Sequence, residues 1–175
     1  FSTLQLINLS TKQRSPAIEL FSYDNQIAYN PATQRWQIAA NRNDQLELHY
    51  INDSYTKQLQ TIYDRSEKPM ALGFHASGKM AMLLAPNKLM IFNDADTTLQ
   101  EVTLPGSNNL RSYEHYDVRW NIAGNLLLCN IGQDAHVYDA HQQTWINDKN
   151  DALKYANHVL AIDDSNDKIA AIGKQ

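Results

Sequence analysis

The stretch GFHASGKMAMLLAPNKLMIFND, residues 73–94, decides the fold. A short apolar segment ends in the bulky Phe74. A turn of small residues follows at HASGK, and a second apolar segment then runs from Lys79 to Leu84. After another turn at APN, the segment KLMIF closes on Asn93 and Asp94. Apolar runs this short, bounded by Gly, Pro and Asn, read as strands joined by hairpins rather than as helices.

The stretch is one copy of a module. Four segments align: IAYNPATQRWQIAA from Ile27, ALGFHASGKMAMLL from Ala71, DVRWNIAGNLLLCN from Asp117 and VLAIDDSNDKIAAI from Val159. Their bulky strand-end residues are Tyr29, Phe74, Trp120 and Ile162, at successive spacings of 45, 46 and 42. A third strand follows at QLELHYIND, KLMIFND and AHVYDA, and a fourth at QLQTIYD, LQEVTLP and QTWIND. The ends hold halves of the same unit. TLQLINL and AIELF read as a third and fourth strand, while VLAID and KIAAIG read as a first and second. The repeats then span 1–22 (half), 23–66, 67–109, 110–149 and 150–175 (half) of a single domain. Within the last, NDALKYANH at 150–158 is the one place that could carry a helical turn.

Four-stranded units recurring every ~40 to 45 residues are what a β-propeller requires. Each small sheet has two faces to bury, so neighbours stack around an axis. The repeat resembles the WD40-like propellers in a degenerate, bacterial style. HASGK and NIAGN match that family's turn between its first two strands, and IFND and VYDA occupy the place of its Trp-Asp pair. No Trp-Asp dipeptide appears, and the Gly-His pair before the first strand is absent. The expected class is all-β: a propeller of four-stranded antiparallel blades with about four repeats. It is either a closed four-blade ring or an arc of a larger one completed by a second chain or a missing segment. A β-sandwich is the competing architecture, although sandwiches do not need strands in equivalent fours.

Composition narrows the function. Fifteen Lys and Arg against 19 Asp and Glu give a net charge of −4 with no basic block, which argues against nucleic acid as a partner. No apolar run approaches the ~20 residues of a membrane-spanning helix, so no membrane insertion is expected in this segment. Cys129, the single cysteine, lies in NLLLCNIG and reads as a buried thiol. Without a disulfide the compartment stays open, with the cytoplasm favoured over the periplasm. A start at Phe1 leads us to expect a processed chain or a part of a longer one.

Motifs for chemistry are scarce. DDSND, residues 163–167, would begin a calcium loop, but Lys168 stands where Gly is needed and Lys174 at the twelfth position. The cluster also fills the hairpin-turn slot of HASGK, where Asp and Asn are favoured anyway. The six histidines show no metal-ligand spacing, so no metal and no cofactor are expected. His49 and His75 read as packed or surface groups. No phosphate loop, nucleophile elbow or zinc-protease motif is present.

The richest polar-aromatic stretch is RSYEHYDVRW, residues 111–120, in the connection between two repeats. Tyr113, Glu114, His115 and Arg119 are the interface candidates, being rigid aromatic or charged groups of the hot-spot kind. Tyr116, Val118 and Trp120 read instead as strand positions, with Trp120 in the core. The expected function is a non-catalytic scaffold whose loops grip a protein or peptide partner. A ligand-binding sensor or envelope-associated domain is the alternative, and a propeller hydrolase a third, which would need carboxylates clustered at one end of a central channel.

Overall fold

The computed structural model describes residues 2–20, 25–42, 45–51, 57–63, 67–93, 98–105, 115–132, 134–146, 156–163 and 168–173. Three four-stranded antiparallel sheets follow one another along the chain. The first holds β3 (Asn25–Asn30), β4 (Arg35–Arg42), β5 (Gln45–Ile51) and β6 (Lys57–Tyr63). The second holds β7 (Pro69–Phe74), β8 (Lys79–Leu84), β9 (Lys88–Asn93) and β10 (Thr98–Thr103). The third holds β11 (Tyr116–Trp120), β12 (Leu126–Ile131), β13 (Asp134–Asp139) and β14 (Thr144–Trp145). Each is a simple meander in chain order. A two-stranded sheet flanks the series at either end: β1 (Ser2–Leu4) with β2 (Ile18–Leu20), and β15 (Ala156–Ile162) with β16 (Ile169–Gly173).

The register carries the repeat into three dimensions. Tyr29 lies opposite Trp36, Phe74 opposite Met80, Trp120 opposite Leu127 and Ile162 opposite Ile169. Phe74, Trp120 and Ile162 thus close the first strands of their sheets, and Tyr29 stands one residue before the end of β3. Three separate stacked sheets also exclude a two-sheet sandwich. Of the segment at 150–158, the last three residues, from Ala156 to His158, open strand β15. Residues 150–155 lie outside those described. Asn and His there extend because β15 has a ladder partner in β16, which local propensity does not reveal.

Packing between the sheets explains the composition of the strands. The face of the first sheet bearing Ala39, Leu46 and Leu48 meets Met80, Met82, Leu84, Met90 and Phe92 of the second. The opposite face of the second sheet, with Ala81, Leu83, Leu89 and Ile91, meets Val118, Leu127, Cys129 and Ile131 of the third. Strand β8 is covered on both faces, so KMAMLL is a continuous apolar run rather than an alternating one. By contrast β10 is an outer edge, exposed at alternating positions with Glu101 facing out, a charge that discourages edge pairing.

The first strands of adjacent sheets approach closely. A side chain at Gly73 of β7 would place its Cβ 2.3 Å from the Val118 carbonyl oxygen of β11. Farther out, two polar bridges tie the second sheet to the third. Gln100 donates to the Tyr138 hydroxyl at 3.0 Å, and the Trp145 indole donates to the Thr103 carbonyl at 3.1 Å. Burial raises the Tyr138 hydroxyl above the ordinary tyrosine value, with the Gln100 hydrogen bond opposing and Asp139 adding to the rise.

Cys129 is fully enclosed in this interface, as the sequence leads one to expect. Burial pushes its thiol well up, and the negative charge of Asp117 adds to that. The folded protein therefore keeps the proton at pH values where an unfolded thiol, with a pKa near about 8.5, loses it. Stability from this group is whole below that value and declines as pH rises above it. In native protein at pH 8, Cys129 is expected to stay unmodified by a thiol reagent over hours, and to react within minutes in denaturant. Equal rates in the two conditions would refute the burial.

Candidate functional site

Three hairpin turns converge at one end of the second and third sheets. They join β7 to β8, β11 to β12, and β13 to β14. Each is set by a short polar residue at its start, as the turn chemistry of Asn, Asp and His allows. In the first, the Ser77 amide donates to His75 Nδ1 at 3.1 Å, and Gly78 donates to the His75 carbonyl at 2.9 Å. The Asn121 side-chain oxygen accepts from the amides of Asn125 and Leu126 at 3.1 and 2.9 Å in the second. In the third, Asp139 Oδ1 accepts from the amides of His141 and Gln142 at 2.9 and 2.8 Å.

The turns are also fastened to one another. With Nδ1 of His75 accepting, its Nε2 carries the proton and donates to the Ile122 carbonyl at 2.7 Å. Lys79 Nζ donates to the Gly124 carbonyl at 2.9 Å and lies 5.6 Å from the centre of the Trp120 ring. The Ala140 amide donates to the Asn125 carbonyl at 2.8 Å. Gly124 is required twice over. Its φ of +70° is left-handed, and an added Cβ would lie 2.7 Å from the His75 ring. Ile122 is held at the tip of this platform through its own carbonyl and its neighbours, and is 74% exposed.

Between the second and third turns lies a recess of about 380 Å³, lined by Lys79, Gly124, Asn125, Asp139, His141 and Gln142 among others. Its lining carries one ammonium, one carboxylate, one imidazole and two side-chain amides. A single ammonium is not the clustered-cation lining that a phosphate chain needs. Among the described residues no three His, Cys, Asp or Glu side chains gather as metal ligands.

The interface candidates from the sequence fall elsewhere. Tyr113 and Glu114 lie outside the described residues. His115 is exposed at the entry to β11, where its carbonyl accepts from Gly132 at 2.9 Å. Arg119 is near the other end of that strand, its side chain 55% exposed and its Nε donating to Asp117 at 2.6 Å. Four residue steps along the strand separate them, roughly 13 Å. They do not converge on one spot. Trp120 is half-buried rather than enclosed, packed 6.2 Å from the His75 ring.

The remaining polar candidates are structural in placement. His49 is buried in β5 with Nε2 at 3.0 Å from Glu47. In the acidic cluster, Asp163 is exposed and its amide donates to the Lys168 carbonyl at 3.1 Å, closing the hairpin between β15 and β16. Residues 164–167 lie outside the described ones.

Comparison with solved structures places this architecture among propeller-like proteins. The chain is similar to hydrazine synthase from Kuenenia stuttgartiensis, with a TM-score of 0.54 at 9% identity over 73% of this chain and 36% of that one. It is also similar to an auxiliary nutrient binding protein from Bacteroides thetaiotaomicron, with a TM-score of 0.59 at 10% identity over 81% and 34%. The chain thus spans about a third of the length of either. No protein-family model matches it, and no curated protein matches it in sequence. The class is an all-β, propeller-like protein of stacked antiparallel sheets, and the likeness extends to the fold alone. Among the described residues no helix is long and apolar enough to cross a membrane.

Proposed function

We propose that this chain is a non-catalytic interaction scaffold, a degenerate WD40-like propeller whose turns hold a protein or peptide segment. The observation that carries the reading is the cross-fastened platform at one end of the sheets. His75, Lys79 and Ala140 bond neighbouring turns, so Ile122 and the recess are fixed before any partner arrives. A surface already ordered loses little conformational entropy on binding. Exposed Ile122 supplies an apolar anchor, and the Lys79, Asp139 and amide lining supplies polar partners for a peptide backbone. A small-ligand reading is second. A recess of about 380 Å³ falls within the size range of such sites, and one structural neighbour is described as nutrient binding.

Selection of a random peptide library on the immobilised chain tests the proposal. Enriched peptides are expected to bind saturably and to lose about tenfold or more in affinity on Ile122→Asp or Lys79→Glu. The same peptides are expected to keep their affinity on His115→Ala and Arg119→Ala. Loss confined to the latter pair moves the interface to the connection read from the sequence. Absence of any saturable peptide overturns the scaffold reading.

A further inference from the structure

The recess between the turns is lined by charges of both signs, and each is anchored with part of its bonding capacity unspent. Lys79 Nζ gives one hydrogen to the Gly124 carbonyl at 2.9 Å and stands 5.6 Å from the centre of the Trp120 ring. An ammonium carries three donors, so two remain. The Asn125 side chain accepts from Asn121 Nδ2 through its Oδ1 at 2.9 Å. That bond fixes the amide and leaves both hydrogens of the Asn125 Nδ2. Asp139 accepts the His141 and Gln142 amides at 2.9 and 2.8 Å, both on Oδ1. Its Oδ2 has no partner among the described residues. All three side chains line the recess.

The unspent groups are separated by sign. The donors sit at the start of β8 and in the turn from β11 to β12, and the acceptor closes β13. Their own turns hold them in place before a ligand arrives, so little side-chain entropy is left to lose. Pairing them all takes a ligand that is itself dipolar, with an anionic acceptor for Lys79 and Asn125 and a nitrogen donor for Asp139. A purely anionic ligand brings like charge to Asp139. An apolar one takes polar groups out of water with nothing in exchange, which costs free energy. The volume of about 380 Å³ lies near the lower end of small-ligand sites, which suits a compact unit.

We infer that the recess binds a carboxylate with a nitrogen donor on the adjoining carbon, the grouping shared by a free α-amino acid and the C-terminal residue of a peptide. The carboxylate takes hydrogens from Lys79 and Asn125, and the nitrogen donates to Asp139 Oδ2. Hydrogen bonds with a charged partner are the strong kind. The inference rests on the reading that this end of the sheets is the binding end. It adds that the end of a peptide, and not its middle, enters the recess.

Titration of the ¹⁵N-labelled chain with L-alanine, tri-alanine and tri-alanine C-terminal amide, followed through backbone amide shifts, tests this. Saturable shifts at residues 123–125 and 139–142 are expected with a free carboxylate, and the amide is expected to bind about tenfold or more weakly. A tripeptide that binds tighter than L-alanine makes the source a peptide C-terminus, and equal binding makes it the free amino acid. Asp139→Asn keeps an oxygen for its turn, and Lys79→Gln keeps a donor for Gly124. Each is expected to weaken the carboxylate probes about tenfold while shifts far from the recess stay in place. Equal binding of acid and amide by the unaltered chain overturns the inference, as does a lack of saturable shifts with both carboxylate probes. So does full affinity in both folded variants. A library peptide that binds through Ile122 equally well as acid and as amide defeats this inference and leaves the scaffold reading standing. Saturable binding of L-alanine with no library peptide retained does the reverse.

Discussion

Gly73→Val is expected to cost about 3 kcal/mol or more of folding stability, at the top of the range for overpacking. Its Cβ would stand 2.3 Å from the Val118 carbonyl oxygen and 3.2 Å from the carbonyl carbon. Those atoms belong to the backbone of a neighbouring sheet, so no side-chain rotation relieves the clash. Either β7 and β11 separate, opening the core around Val118 and Cys129, or β7 leaves its own ladder with β8. Gly73→Ala meets the same oxygen and is expected to act in the same direction. Urea unfolding measures both, with stability read from the midpoint at constant m. A valine variant within about 0.5 kcal/mol of wild type would mean the two strands are not neighbours.

Leu127→Ala is expected to cost about 3 to 4 kcal/mol, the usual loss for a leucine in a core that cannot collapse. Leu127 is fully buried in β12 opposite Tyr138 and packs in the cluster joining the second and third sheets. The surroundings are pinned: Tyr138 accepts from Gln100, and Trp145 donates to Thr103. A cavity between such fixed walls stays open. Ile122→Ala, on the exposed tip of the neighbouring turn, is expected to stay within about 0.5 kcal/mol. Equal effects at the two positions would contradict the burial pattern.

The architecture was readable because stacking one small sheet on the next makes equivalent layers recur. Phe74 and Trp120 announce strand ends by bulk, and HASGK and NIAGN announce turns by small residues, so the period is visible without long-range information. The candidate site was not. His75 and the Ile122 carbonyl are 47 residues apart, and Lys79 and Gly124 are 45 apart. Those separations match the repeat, but nothing in a single strand or turn says which equivalent turns touch. The sequence instead drew attention to residues 111–120 because they are contiguous and aromatic. A strand then places His115 and Arg119 at its two ends. One signal was available: Lys79 follows its turn directly, where the other two turns continue with uncharged residues.

A two-dimensional NOE spectrum of methyl-labelled protein tests most directly whether equivalent strands of successive sheets lie side by side. The Val118 Cγ1 methyl lies 3.6 Å from the position a Gly73 Cβ would take. A strong cross-peak between that methyl and the Gly73 α-protons is therefore predicted. Its absence in assigned spectra, with the ladder cross-peaks inside each sheet present, would contradict the stacking on which the turn platform depends.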